Sequence, residues 1–245
     1  QKLCDPDIAL DRKKRALTIA TGATVLLTLM AFVCAPDAGP NDSALAQLPD
    51  LMSALQKDRA SLIRGDVFRS LDINSPIDPK TNRILDDTRI KSHAATVREL
   101  IDKGASVAIL AHQGRPGDSD FTTLEAHAPL LSDYVGANVN YVQDIFGPCA
   151  RSSISAMKPG EVILLENVRF YKAEEIKDKV AKENPALRKE KDDFARQLAE
   201  LADVYVNDAF GTAHRDNASM LTVPQLMGNK PKVAGFLVEK ELKFL

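Results

Sequence analysis

Tryptophan is absent from this sequence, aromatic residues make up only 5% of it, and its three cysteines, Cys4, Cys34 and Cys149, stand far apart. Cysteines so separated form no Cys-x-x-Cys pair, which argues against a zinc ribbon or a redox dithiol. Their spacing also suggests no disulfide framework of the kind that staples small secreted domains. Positive charge is not in excess: 32 Lys and Arg face 34 Asp and Glu, for a net charge of −2. A general nucleic-acid binder needs a basic surface to release counterions from phosphates, so nucleic acid is not an expected partner. No Gly-x-x-x-x-Gly-Lys-Ser/Thr loop occurs, so no P-loop nucleotide site is expected.

One absence is local. Residues 16–35, ALTIATGATVLLTLMAFVCA, contain no charged side chain. A helix rises ~1.5 Å per residue, so such a run covers ~30 Å, the thickness of a bilayer's hydrocarbon core. A cleaved signal peptide has a shorter apolar core, and a helix apolar on every side needs a large protein around it. The sequence therefore predicts a transmembrane helix over 16–35. Lys2, Arg12, Lys13, Lys14 and Arg15 precede it, and no Lys or Arg follows until Lys57. By the positive-inside rule, the N-terminus is expected on the cytoplasmic or matrix side of a plasma or mitochondrial inner membrane. The rest of this single-pass protein would then lie on the opposite side.

Residues 1–15 form a basic flank, and residues 36–60 read as a connector. Its PDAGPNDSA stretch is rich in turn formers, and the following LAQLPDLMSALQKDRASL has apolar residues at helical spacing. From Asp66 onward, short apolar runs alternate with amphipathic stretches. Strands are predicted over 67–73, 105–111, 138–142, 161–165 and 203–206. Helices are predicted over 87–103, 124–135, 148–157 and 189–201. This rhythm predicts an α/β fold with a parallel sheet flanked by helices on both faces. The Lys- and Glu-rich stretch 172–191 is expected to be a solvated helical face.

Ligands of such sheets bind at the carboxyl ends of the strands. Here those ends are polar: Asp72 and Asn74 after the first, His112 and Arg115 after the second, Arg169 after the fourth, and His214 and Arg215 after the last. Arg89 opens the first helix. A single arginine is ordinarily a solvated surface charge, and either histidine could be a structural hydrogen-bonder. Four arginines at successive strand ends fit a small, multiply charged anion, because the guanidinium fork pairs with carboxylate or phosphate through two bonds.

The stretches LDINSP, DDTRI, HQGRPGD, LLENVRF, VNDAFGTAHR and AGFLVEKEL occur in this order. Together they resemble the N-terminal domain of the phosphoglycerate kinase family, over about 61–245, and are most similar to its archaeal branch. The resemblance implies a domain over 61–236 that binds 3-phosphoglycerate through a basic patch. Asp72 and Asn74 match the family's contacts to the substrate hydroxyl. Arg89, His112, Arg115, Arg169 and Arg215 match the patch. Family members transfer a phosphoryl group between ATP and 3-phosphoglycerate, with magnesium on the nucleotide.

Two departures matter. The family arginine that stabilises the phosphoryl group in flight is matched here by Ser70, so no catalytic residue is assigned. Arg69 is one place away and should point to the other face of the strand. In addition, residues 237–245 resemble the start of the helix joining the family's two domains. The C-terminal nucleotide domain is expected to be absent, the chain alone inactive, and Mg-ATP a cofactor only where such a lobe exists. We therefore expect a membrane-anchored scaffold or accessory subunit of a membrane complex that keeps a 3-phosphoglycerate-type anion site. The alternatives are an active phosphoglycerate kinase whose nucleotide lobe lies beyond this sequence, and a sensor that binds the acid without turning it over.

Overall fold

The computed structural model describes residues 66–244. The predicted basic flank, transmembrane helix (16–35) and connector (36–60) lie outside the described residues. Among the described residues, no helix is long and apolar enough to cross a membrane.

Strand β1 (Asp66–Ser70) opens the domain, and a hairpin of two very short strands follows, β2 (Ile77–Asp78) and β3 (Arg83–Ile84). The chain then alternates through α1 (Thr88–Asp102), β4 (Ser106–Leu110), α2 (His127–Val135), β5 (Val139–Val142), α3 (Pro148–Ala156) and β6 (Val162–Leu165). Two 3-10 turns, Val168–Phe170 and Lys172–Glu175, lead into α4 (Asp178–Glu183) and α5 (Pro185–Ala199). Strand β7 (Val204–Asn207) comes next, then a π-helical turn (Ala218–Thr222), α6 (Val223–Leu226), β8 (Lys232–Ala234) and α7 (Phe236–Leu242). The main sheet is parallel, in the order β5-β6-β4-β1-β7-β8. This is the predicted α/β architecture.

Every residue of β4 and β6 is buried, which explains why these strands read as continuous apolar runs rather than alternating ones. Alternate side chains feed two cores. Val107, Ile109 and Leu164 meet Ile90, Val97 and Leu100 of α1 and Leu131 of α2 on one face. Ala108, Leu110, Ile163 and Leu165 meet Ile154 of α3 and Phe194 and Leu198 of α5 on the other. Helix α1 repeats its apolar residues at the spacing that lines one side of a helix. It stops before Gly104, which adopts the left-handed φ of +81°.

The 172–191 stretch differs from expectation. It is not simply a solvated face: Lys191 is fully buried, and its ammonium donates to Asp178 Oδ1 and to the carbonyl of Asp216, each at 2.6 Å. Lys177 pairs with Asp216 at 3.0 Å. Long lysine stems bury apolar surface when the charged head finds partners, which a charge count along the sequence does not register.

Lys191→Ala leaves Asp178 and the Asp216 carbonyl without their ammonium donor. Urea denaturation should show a loss on the order of 2 kcal/mol, as for hydrogen bonds to a charged group. Lys189→Ala, at a largely exposed ion pair on the same helix, should leave the midpoint unchanged.

Candidate anion-binding site

Sheet order builds the site. Strands β4 and β7 flank β1, and β6 lies beside β4, so the four loops that leave their carboxyl ends meet at one edge of the sheet. A cleft of about 320 Å³ opens there, and its walls include Asp72, Asn74, Arg89, His112, Arg115, Arg169 and Arg215. Seven of the eight polar residues singled out from the sequence are thus brought together. Gly114, Asp118, Asp120, Gly211 and Thr212 complete the lining. His214 does not join them and is exposed.

The arginines are not equivalent. Arg89 donates through Nη1 to Asp72 Oδ2 at 2.8 Å and stays more than half exposed. Arg169 is buried, donates to the main-chain carbonyl of Gly114, and holds Nε 3.3 Å from Glu175. The guanidinium groups of Arg115 and Arg215 line the cleft without a hydrogen bond or ion pair to any described residue. Burial pulls Arg169 below its usual pKa; Glu175 opposes this, while the charges of Arg215 and Arg115 add to it. That mutual repulsion is what a bound anion would relieve. Asp72 Oδ1 is buried without a hydrogen-bond partner among the described residues, with His112 Nε2 3.9 Å away, so it can accept a hydrogen bond from a ligand hydroxyl. Burial, reinforced by Arg169 and opposed by Asp72, lowers His112 to about 4. His112 is therefore a neutral imidazole at neutral pH and not a fixed part of the positive charge.

Attention to charged residues passes over the two amides that hold the loops. Gln113 and Asn167 are both fully buried. Gln113 accepts from the Ser75 N–H at 3.0 Å and donates to the Ser75 carbonyl at 2.9 Å, clamping the loop that carries Asn74. Asn167 donates to the carbonyls of Gln113 and Thr122 at 2.8 Å and accepts from the Arg169 N–H at 3.1 Å. Asn74 Oδ1 accepts from the Gly114 N–H at 3.0 Å. Gly114 has a φ of +61°, and a Cβ there would lie 2.6 Å from the main chain at Phe121. The sequence signal was present, since both amides sit inside the quoted HQGRPGD and LLENVRF stretches.

Ser70 and Arg69 lie on opposite faces of β1, as strand alternation requires. Ser70 borders a small cavity of about 10 Å³ with His112, Arg169, Glu174 and Arg215, and its hydroxyl donates to Met220 Sδ at 3.0 Å. Arg69 is fully buried on the α1 side, where Nη2 donates to Asp208 and to the His93 carbonyl, while Nε and Nη1 find no partner among the described residues. It does not reach the cleft. Below Ser70, burial raises the Glu174 carboxyl to about 7, against hydrogen bonds from Ser219 and Asn217 and the charge of Arg169.

Two outcomes follow from this geometry. Gly114→Ala should force the HQGRPGD loop off the Asp120–Phe121 main chain and lower anion affinity at least tenfold by calorimetry, or about 1.4 kcal/mol. Glu174 has a folded-state pKa above its ordinary 4.5, so its contribution to stability is full below 4.5 and lost as the pH rises to about 7. The thermal midpoint of Glu174→Gln should therefore gain on that of the parent across this interval.

The family model for phosphoglycerate kinase matches residues 58–245. The phosphoglycerate kinases of Sulfurisphaera tokodaii and Methanothermus fervidus are each 50% identical over 179 residues, 73% of this chain. The chain spans only 41% and 42% of their lengths. The crystal structure of the Pyrococcus horikoshii enzyme superposes with a TM-score of 0.64 at 41% identity, covering 74% of this chain and 42% of that one. These matches correct two expectations. A scaffold or accessory subunit of a membrane complex is not what the chain resembles, because relatives this similar are phosphoglycerate kinases. The placement as a single-pass membrane protein gives way with it, because the chain matches phosphoglycerate kinases over 73–74% of its length and these matches support no membrane partner. By the family match over most of its length and by its archaeal relatives, the chain belongs to the phosphoglycerate kinase family.

Proposed function

We propose that this chain is the acid-binding domain of a phosphoglycerate kinase, holding 3-phosphoglycerate for phosphoryl exchange with ATP. The observation that carries this is the pair Arg115 and Arg215, two guanidinium groups with no hydrogen bond or ion pair to any described residue, facing a cleft already lined by Arg89 and Arg169. Guanidinium groups without partners among the described residues, in a cleft of this size, favour an anionic ligand. In this scheme Arg115, Arg169 and Arg215 take the phosphate, Asp72 Oδ1 and Asn74 take the hydroxyl, and Arg89 keeps Asp72 in place. Magnesium and ATP supply the transferable phosphoryl group. In this family's chemistry the magnesium accompanies the nucleotide, where it neutralises charge on the phosphates.

One observation favours a second reading, acid binding without turnover: β1 presents Ser70 to the cleft region and keeps its only arginine, Arg69, on the other face. Transfer depends largely on positive charge at the moving phosphoryl group. Formation of product from 3-phosphoglycerate and Mg-ATP by the purified protein excludes this second reading.

Calorimetry with 3-phosphoglycerate tests the acid site. Saturable binding is expected, weakened roughly tenfold or more by Arg115→Ala and by Arg215→Ala, since each removes charge-assisted hydrogen bonds. No binding, or binding indifferent to both changes, overturns the proposal. A bound anion also favours protonated His112, so binding should take up protons as the pH falls toward about 4. In His112→Asn this uptake should disappear.

A further inference from the structure

The guanidinium of Arg215 has no hydrogen bond or ion pair to any described residue, so its main chain must aim it into the cleft. Upstream, the Arg215 N–H donates to the Thr212 carbonyl at 2.9 Å. Downstream, Asp216 is gripped three times, each time from the stretch 177–191. Its Oδ2 accepts from the Asp178 N–H at 2.8 Å, and its Oδ1 accepts from Lys177 Nζ at 3.0 Å. Its main-chain carbonyl accepts from Lys191 Nζ at 2.6 Å. Three residues on, the N–H and hydroxyl of Ser219 donate to the Glu174 carboxylate at 2.8 and 2.6 Å. Arg169 leans on the same part of the chain, with Nε 3.3 Å from Glu175 Oε1.

Lys191 differs from the other donors to Asp216. Its side chain is fully buried, whereas that of Lys177 is more than half exposed, and it holds the peptide rather than the carboxylate. On α5 it stands in line with Phe194, Ala195 and Leu198, the buried stripe of that helix. An ammonium in an apolar stripe is costly unless hydrogen bonds compensate it, and here Asp178 Oδ1 and the Asp216 carbonyl do so. We infer that Lys191 and Asp216 are positioning residues for the anion cleft: together they fix the peptide that follows Arg215 and so aim its guanidinium at the ligand. Neither residue lines the cleft, so each acts only through Arg215. Helices α4 and α5 thereby serve as the mount of a binding arginine that they do not carry. This inference rests on the assignment of Arg215 to an acid site.

Calorimetry with 3-phosphoglycerate on the whole 245-residue chain tests it through a double-mutant cycle. Lys191→Met keeps an apolar stem and loses the donor, and should weaken binding about tenfold. In an Arg215→Ala background the same change should cost less than about twofold, because the arginine through which it acts is gone. General loosening of the domain would instead weaken binding equally in both backgrounds. Unchanged affinity in Lys191→Met, or an equal loss without Arg215, overturns the inference. Should Lys191→Met fail to fold, Asp216→Ala, at a half-buried position, removes the carboxylate side of the anchor and must show the same dependence on Arg215. If the parent chain binds no 3-phosphoglycerate, the acid site itself is wrong. The anchor is then decided by NMR: the Nε–H signal of Arg215 should shift in Lys191→Met or Asp216→Ala, and an unmoved signal overturns it.

Discussion

The contact between Arg69 and Asp208 joins two neighbouring strands of the sheet inside the protein, where neither charge is reachable by water. Much of the site's frame depends on it. Asp208 is kept ionised by that guanidinium, and as a carboxylate it can also accept from His93 and from the first amides of α7. One side chain thereby fixes the end of β7, the middle of α1 and the start of the helix by which the described chain leaves the domain. The cost is visible in Arg69 itself, whose Nε and Nη1 are buried without partners among the described residues. Breaking a buried pair of this kind costs about 3–5 kcal/mol, because the surviving charge is left uncompensated.

The cleft divides labour between amides and arginines. Gln113 and Asn167 are fully buried and hold the loops after β1, β4 and β6 at fixed separations. Arg169 sits between the two roles, since it donates to the Gly114 carbonyl and also lines the cleft. The guanidinium groups of Arg115 and Arg215 are left with no partner among the described residues. Repulsion among these cations is held in check by loops that Gln113 and Asn167 clamp through uncharged hydrogen bonds. A bound anion then relieves repulsion that the fold has already accommodated.

The strands and main helices were legible because their apolar residues repeat at periods that water and packing enforce. The run 105–111 became Ser106–Leu110, and the predicted helix 87–103 became Thr88–Asp102. The hairpin of β2 and β3 and the short strand β8 were not, since two- and three-residue strands carry no periodicity. The 172–191 stretch misled for a different reason. A buried lysine and an exposed one are the same letter, and only the packing of α4 and α5 decides that Lys191 faces inward. The apolar run at 16–35 was a genuine compositional signal, but the function drawn from it gave way to the much longer likeness over 58–245.

By itself the sequence determined the α/β class, the family, and a set of polar side chains near the strand ends, seven of which line one cleft, because each depends on local pattern or ordered motifs. It also determined that Arg69 could not stand in for the residue at Ser70, since neighbouring residues of a strand point apart. Tertiary structure alone decided the charge states and the partners. His112 is neutral because burial and neighbouring arginines meet there. Glu174 is raised because it is buried below the cleft. His93 faces two acceptors only because the ends of β1 and β7 converge on one side of α1. Such properties depend on distances between residues far apart in the chain, and the order of letters does not carry those distances.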